Sequence, residues 1–161
     1  MLYIWYAFVV LITFTAMEAI AWALHKYVMH GLLWSLHEDH HRPHNKKMEK
    51  NDFFALVFAI PSWLFMMFGI MDGCDYKLYI GIGTTLYGIC YVLVHDGLIH
   101  QRFNFLRYTE NAWLIALRKG HKAHHKRREK EDGECFGMLI VPKKYIQQAR
   151  YFQKHLREVK R

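Results

Sequence analysis

The chain has 161 residues, a length that suits one domain, with 53% apolar and 16% aromatic residues and a formal net charge of +8. Its long apolar runs come early and most of its positive charge comes late, the pattern of a membrane protein with one wet face; beyond charge, nothing supports nucleic-acid binding. Cys74, Cys90 and Cys135 stand far apart without a C-x-x-C, which suggests neither a disulfide framework nor a thiolate metal site.

The first apolar run, Leu2 to Leu24, contains one charge, Glu18. It lacks a basic leading region and a small-residue cleavage site, so it reads as a retained span. It leads into His25 and His30, spaced H-x4-H. A polar segment from Gly31 to Asn51 follows, with His37, His40 and His41 spaced H-x2-H-H. Ser35 with Glu38 predicts a capping box at the start of a short helix, and Pro43 predicts its end. His44 lies past that proline and outside the spacing. Phe53 to Met71 is uncharged, Asp72 to Tyr76 reads as a turn, and Leu78 to Leu98 is apolar except for His95 and Asp96. Each of the three runs reaches the ~20 residues needed to cross a hydrocarbon core of ~30 Å. His95 and His100 repeat H-x4-H, and His121, His124 and His125 repeat H-x2-H-H.

Between those groups, Thr109 to Lys119 predicts a short amphipathic helix with Thr109 as N-cap and Gly120 as its stop, too short to span. The basic run Lys126-Arg127-Arg128 suits anionic lipid, an acidic electron donor or simple topology-setting charge. Cys135 to Val141 is an apolar run closed by Pro142. The last segment, about 143–159, places Tyr145, Ala149, Phe152, Leu156 and Val159 on one helical stripe and His155 on the polar side. The expected fold is an all-α integral membrane protein of about three to four transmembrane helices, one domain over 1–161. Its spans fall at about 2–24, 53–71 and 78–98, with metal-site segments 25–44 and 95–125.

Topology follows by counting. Two crossings separate the first two histidine groups from the last two, so all four meet on one side of the bilayer. The 25–50 segment carries five Lys/Arg and residues 99–161 carry sixteen, against Lys77 alone in the intervening turn. The positive-inside rule puts the histidine face on the cytoplasmic side of the cytoplasmic membrane, with the N-terminus outside.

Ten of the 12 histidines fall in these four groups, too many for one tetrahedral ion, which points to two metals side by side. Positions i, i+3 and i+4 share a helix face, so each triplet is expected to point one way. The pairs are harder. Five residues turn a regular helix by roughly 500°, leaving partners ~140° apart. Either the second histidine of each pair lies past the helix end or the two reach different metals, with Gly31 and Gly97 as nearby sources of irregularity. About five ligands per ion fits redox-active iron better than structural zinc, though imidazole binds zinc readily and zinc can replace iron in a purified sample. Glu18, Asp39 and Asp96 are candidates to orient imidazoles or to carry a proton.

The order H-x4-H, H-x2-H-H, H-x4-H, H-x2-H-H resembles the membrane fatty-acid hydroxylase superfamily. The stretches MEAIAWALHKYVMHG (17–31), LHEDHHRPH (36–44), NDFFALVFA (51–59), YVLVHDGLIHQRF (91–103), GHKAHH (120–125) and ECFGMLIVP (134–142) are similar to the β-carotene 3-hydroxylases within it. The resemblance runs to about Pro142 and includes every histidine position. It implies an O2-dependent di-iron monooxygenase acting at C3 of carotenoid β-ionone rings, from β-carotene through β-cryptoxanthin to zeaxanthin. It also implies electrons from a reduced ferredoxin-type donor and its reductase, a carotenoid substrate drawn from the lipid bilayer, and the ten grouped histidines as ligands. Alternatives are a fatty-acid or sterol hydroxylase of the same superfamily and, in another class, a histidine-rich membrane metal transporter or sensor. A transporter should place ligands along a midplane path, whereas these sit at helix ends and in loops.

Overall fold

The computed structural model describes residues 2–42, 48–103, 108–127 and 131–159. Within these the chain is helical, with no strand among the described residues. Three helices are long and apolar enough to cross a membrane: Leu2–Leu32, Lys50–Met71 and Tyr76–Ile99. The first is α1 (Leu2–Ala23) continued by a π-helix (Leu24–Leu32). The second is α3 (Phe54–Met71), entered through a 3-10 turn (Lys50–Phe53). The third is α4 (Tyr76–Tyr91), again continued by a π-helix (Val92–Ile99). Between the first two spans lies α2 (Trp34–His37), followed by a 3-10 turn (Glu38–His41). After the third come α5 (Ala112–His124) and α6 (Lys143–Val159).

Helix α4 is the middle of the spanning layer and packs on both α1 and α3. Its small residues permit close approach: a methyl group at Gly81 would meet the Ser62 carbonyl of α3 at 2.8 Å. The Ser62 hydroxyl donates to the Gly81 carbonyl at 2.9 Å, so a polar group at bilayer depth is satisfied by the neighbouring helix. Outward-facing side chains such as Leu11, Trp63 and Ile89 are more than half exposed, which suits lipid rather than water. The α3–α4 turn reverses through left-handed residues Gly73 and Cys74, and Asp75 caps α4 by accepting the Lys77 N–H at 2.9 Å.

The water-exposed end departs from the sequence expectations in three places. Ser35 lies inside α2 rather than at its cap, and no side chain caps that helix; Glu38 pairs instead with Arg42. The α5 cap is Asn111, whose Oδ1 accepts the N–H groups of Trp113 and Leu114 at 2.9 and 3.2 Å; the Thr109 hydroxyl supports Asn111 itself. Gly120 does not stop α5, which runs on to His124. Gly120 is there for close approach: a methyl group would sit 2.9 Å from both Cys135 Sγ and Val141 Cγ2. Of the α6 stripe, Tyr145 and Ala149 are buried against α5 and Phe152 is exposed; the Leu156 and Val159 side chains lie outside the described residues, as do Pro43, His44 and Arg128. His155 is exposed, as expected.

Candidate metal centre

Both H-x4-H pairs lie where a spanning helix widens from α to π. In a π-helix the backbone N–H bonds five residues back, so side chains five apart lie over one another. The His100 N–H bonding to the His95 carbonyl at 2.9 Å is that contact across the second pair. His25 and His30 therefore belong to one group, and His95 and His100 to another. The members of each pair do not go to different groups; His100 lies just past the end of its π-helix, as one alternative had it, while His30 lies inside a helix that has changed pitch. Gly31, with φ −123° and ψ −108°, breaks the first π-helix just beyond His30.

The triplets depart from expectation in the opposite sense. Each is divided between two groups. His25, His30, His37, His41 and His124 form the first, with ligand atoms all within 4.8 Å of one another; His40, His95, His100 and His121 form the second. The first split falls where α2 ends at His37 and the 3-10 turn Glu38–His41 begins, so the triplet does not lie on one regular α-helix. His125 stands at the seam, its Nε2 2.8 Å from His121 Nε2 and its ring stacked on His41 at 4.4 Å. The two groups are thus side by side.

The donor chemistry fits metal ions. A neutral imidazole has one N–H and one lone pair. His25 donates its Nδ1–H to the Phe136 carbonyl at 2.8 Å, and His37 donates to Asn51 Oδ1 at 2.6 Å. His124 donates to the Glu134 carbonyl at 3.1 Å. With the proton spent outward, bare Nε2 lone pairs face inward, and those of His25 and His37 are 3.1 Å apart. His41 and His37 Nε2 are also 3.1 Å apart, as are His30 and His124 Nε2. The facing lone pairs of His25 and His37 repel unless a cation lies between them. Two nitrogens each ~2.1 Å from one ion and at right angles about it are ~3.0 Å apart, which matches these spacings. In the second group His40 Nε2 is buried with no hydrogen-bond partner, and its Nδ1–H donates to Glu49 Oε2 at 2.6 Å.

Burial sets the protonation state. It holds His37 down at about 4, His100 at about 3 and His125 at about 4, with neighbouring imidazoles adding to the depression and the Asn51 bond opposing it at His37. Burial also lowers His40, His121 and His124. At neutral pH these rings are uncharged, the form that binds metal.

The three carboxylates singled out from sequence have different placements. Asp96 Oδ1 accepts from His95 Nδ1 at 2.8 Å and so orients an imidazole. Asp39 does not share this arrangement: its Oδ2 accepts the Lys50 N–H at 2.7 Å, and its Oδ1 is buried without a partner. Glu18 is buried on α1 and binds the 138–140 backbone and Tyr87.

Several site residues escaped the sequence reading. Glu49 and Asn51 orient His40 and His37. Arg102 gathers the surrounding carboxylates, lying 2.9 Å from Glu49, 2.8 Å from Asp52 and 3.9 Å from Asp96. Glu49 had one signal, its E-x-x-D spacing to Asp52, which forms a capping box. The backbone carbonyls of Glu134 and Phe136 have none. Beside the first group a cavity of about 710 Å³ runs between α1, α3 and α4, from His25 and Asp96 at its polar end to Met66 at bilayer depth.

Comparison with known proteins agrees with this geometry. A 41% identical relative, the "Beta-carotene hydroxylase" of Pantoea ananas, aligns over 96% of this chain and 88% of its own length. The protein of the same name from Pseudescherichia vulneris is 39% identical over 95% and 86%. "Beta-carotene 3-hydroxylase 1, chloroplastic" of Arabidopsis thaliana is 36% identical over 76% of this chain and 39% of its own length. No solved structure matches. The family model described as "Fatty acid hydroxylase" matches residues 10–142, which takes in all ten grouped histidines; the chain belongs to the fatty acid hydroxylase family.

Proposed function

We propose that this chain is a di-iron monooxygenase that hydroxylates C3 of carotenoid β-ionone rings, taking β-carotene through β-cryptoxanthin to zeaxanthin. The observation that carries the proposal is two adjoining sets of buried and half-buried imidazoles beside a mostly apolar cavity between the spanning helices. In this reading His25, His30, His37, His41 and His124 hold one iron, and His40, His95, His100, His121 and His125 hold the other. Bound iron supplies the O2 activation that protein side chains lack. The chain's own groups do the rest. Glu49, Asp96 and Asn51 keep the rings of His40, His95 and His37 in the tautomer that presents Nε2 inward. Met29, Phe54, Phe58 and Met138 form apolar walls that admit a ring end and exclude water. The cavity follows α3 from Phe54 to Met66, ~18 Å at the helical rise, so a long polyene would lie partly in the cavity and partly in lipid.

The charge distribution supports a cytoplasmic histidine face in the cytoplasmic membrane. Exposed Lys122, Lys126 and Arg127 beside the second triplet suit an acidic, ferredoxin-type donor working with its reductase. Ligands gathered at helix ends give no reason to prefer a transporter. The test is expression in a β-carotene-producing host with a working electron donor. Zeaxanthin and β-cryptoxanthin are the expected pigments; unchanged β-carotene beside an iron-loaded membrane protein would overturn the proposal.

A further inference from the structure

The sequence places Glu18 at bilayer depth, where an unsatisfied carboxylate is costly. The structure surrounds it with donors. Oε1 accepts the backbone N–H groups of Met138, Leu139 and Ile140 at 2.9, 2.8 and 3.0 Å. Oε2 accepts the Tyr87 hydroxyl at 2.7 Å. One carboxylate thus joins α1 and α4 to a segment about 120 residues further on, the strap over residues 134–141. Those three N–H groups have no regular ladder to join, and charge-assisted bonds to a carboxylate are stronger than neutral ones. Gly137 makes the approach possible, since a methyl group there would meet Glu18 Oε1 at 2.6 Å.

Among the described residues, the strap's hydrogen bonds and ring contacts to histidines fall on the first group. Its Phe136 carbonyl takes the His25 Nδ1–H and its Glu134 carbonyl the His124 Nδ1–H. The Phe136 ring, 4% exposed, packs on His25, His30 and His124 at 5.5, 5.2 and 5.0 Å. In the second group, the bonds to His40 and His95 come from Glu49 and Asp96, away from the strap.

We infer that Glu18 is a positioning residue for the first metal alone: it clasps the strap whose two carbonyls and one ring fix the imidazoles of His25, His30 and His124. The inference rests on the two-metal reading above.

Cobalt(II) titration of the metal-free full chain in lipid nanodiscs, followed by its ligand-field spectrum, separates the two sites. Glu18→Ala weakens one site by ~10–100-fold and leaves the spectrum and affinity of the other unchanged. Glu18→Gln, which keeps an acceptor oxygen for the three N–H groups, restores most of the loss. Where Glu18→Ala does not fold, Gly137→Ala decides the matter by wedging the strap away from an intact Glu18, with the same one-site loss expected. Two unaffected sites, or two equally weakened sites, overturn the inference. Hydrogen exchange on metal-free protein gives an independent reading: the amides of 138–140 should lose protection in Glu18→Ala, and unchanged protection also overturns it. A wild-type chain that binds fewer than two cobalt ions contradicts the two-metal reading instead, while the exchange result still judges the clasp.

Discussion

The Glu49–His40 contact is the sharpest test of how the second histidine group is held. Glu49 Oε2 lies 2.6 Å from His40 Nδ1, and the His40 side chain is 1% exposed. Glu49→Ala leaves that N–H without its acceptor and without water to replace it. An unmatched buried donor costs ~1–3 kcal/mol. At ~1.4 kcal/mol per factor of ten, this is ~5–150-fold in affinity. The range brackets the ~10–100-fold found when the partners of metal-bound imidazoles are removed. Arg102 keeps its 2.8 Å contact with Asp52, so the surrounding frame survives the change. Glu49→Gln retains an oxygen that can accept from Nδ1 and should lose affinity only at the low end of that range. The assay is cobalt(II) titration of wild type, Glu49→Ala and Glu49→Gln in nanodiscs. Unaltered affinity at both sites in Glu49→Ala would refute the idea that this carboxylate orients His40.

Asp39→Ala is the contrasting case. Its carboxylate bonds to the Lys50 N–H, so the change should leave metal affinity within a factor of two or so while lowering stability by ~0.5–1.5 kcal/mol, measured by denaturation; a tenfold affinity loss would contradict this. Gly88 lines the cavity, and a side chain there meets nothing within 4 Å of its first carbon. Gly88→Leu should therefore reduce carotenoid turnover with metal content unchanged, while raising stability by ~1 kcal/mol because glycine is a poor helix former; full turnover would exclude the cavity as the substrate path. Acid should destabilise the metal-free fold. His37, His100 and His125 are held near 4, 3 and 4 against an ordinary 6.5, so as pH falls below about 6.5 the unfolded chain binds protons that the folded chain refuses. Stability is then fully present above about 6.5 and declines down to about 3; a flat denaturation midpoint across that window would contradict the burial of these rings.

The spans were legible because composition and length alone carry that signal; the second and third helices lie within three residues of their apolar runs, and the first runs on from Leu24 to Leu32 through the π-helix that carries His25 and His30. The gathering of four distant histidine groups was legible too, since it needs only two crossings. What spacing could not give was the partition between groups. H-x4-H looks wrong on an α-helix and becomes right on a π-helix, yet π geometry leaves little local trace in composition. H-x2-H-H looks like a single grip on a regular α-helix, but α2 ends at His37 and His40 joins the other group. Gly120 reads as a helix stop by residue type, and only the strap packed against it explains a glycine inside α5. Partners supplied by the backbone, such as the Phe136 and Glu134 carbonyls, have no side-chain signature and depend on how residues 134–141 fold back over α1.

The central claim is that this chain uses two irons and O2 to place a hydroxyl on a carotenoid ring. It is tested most directly with the iron-loaded chain in nanodiscs containing β-carotene, given reduced ferredoxin and isotopically heavy O2. The account predicts β-cryptoxanthin and then zeaxanthin, each new hydroxyl carrying the heavy isotope. No hydroxylated product from protein shown to hold two irons, or hydroxyl oxygen drawn from water, would contradict it.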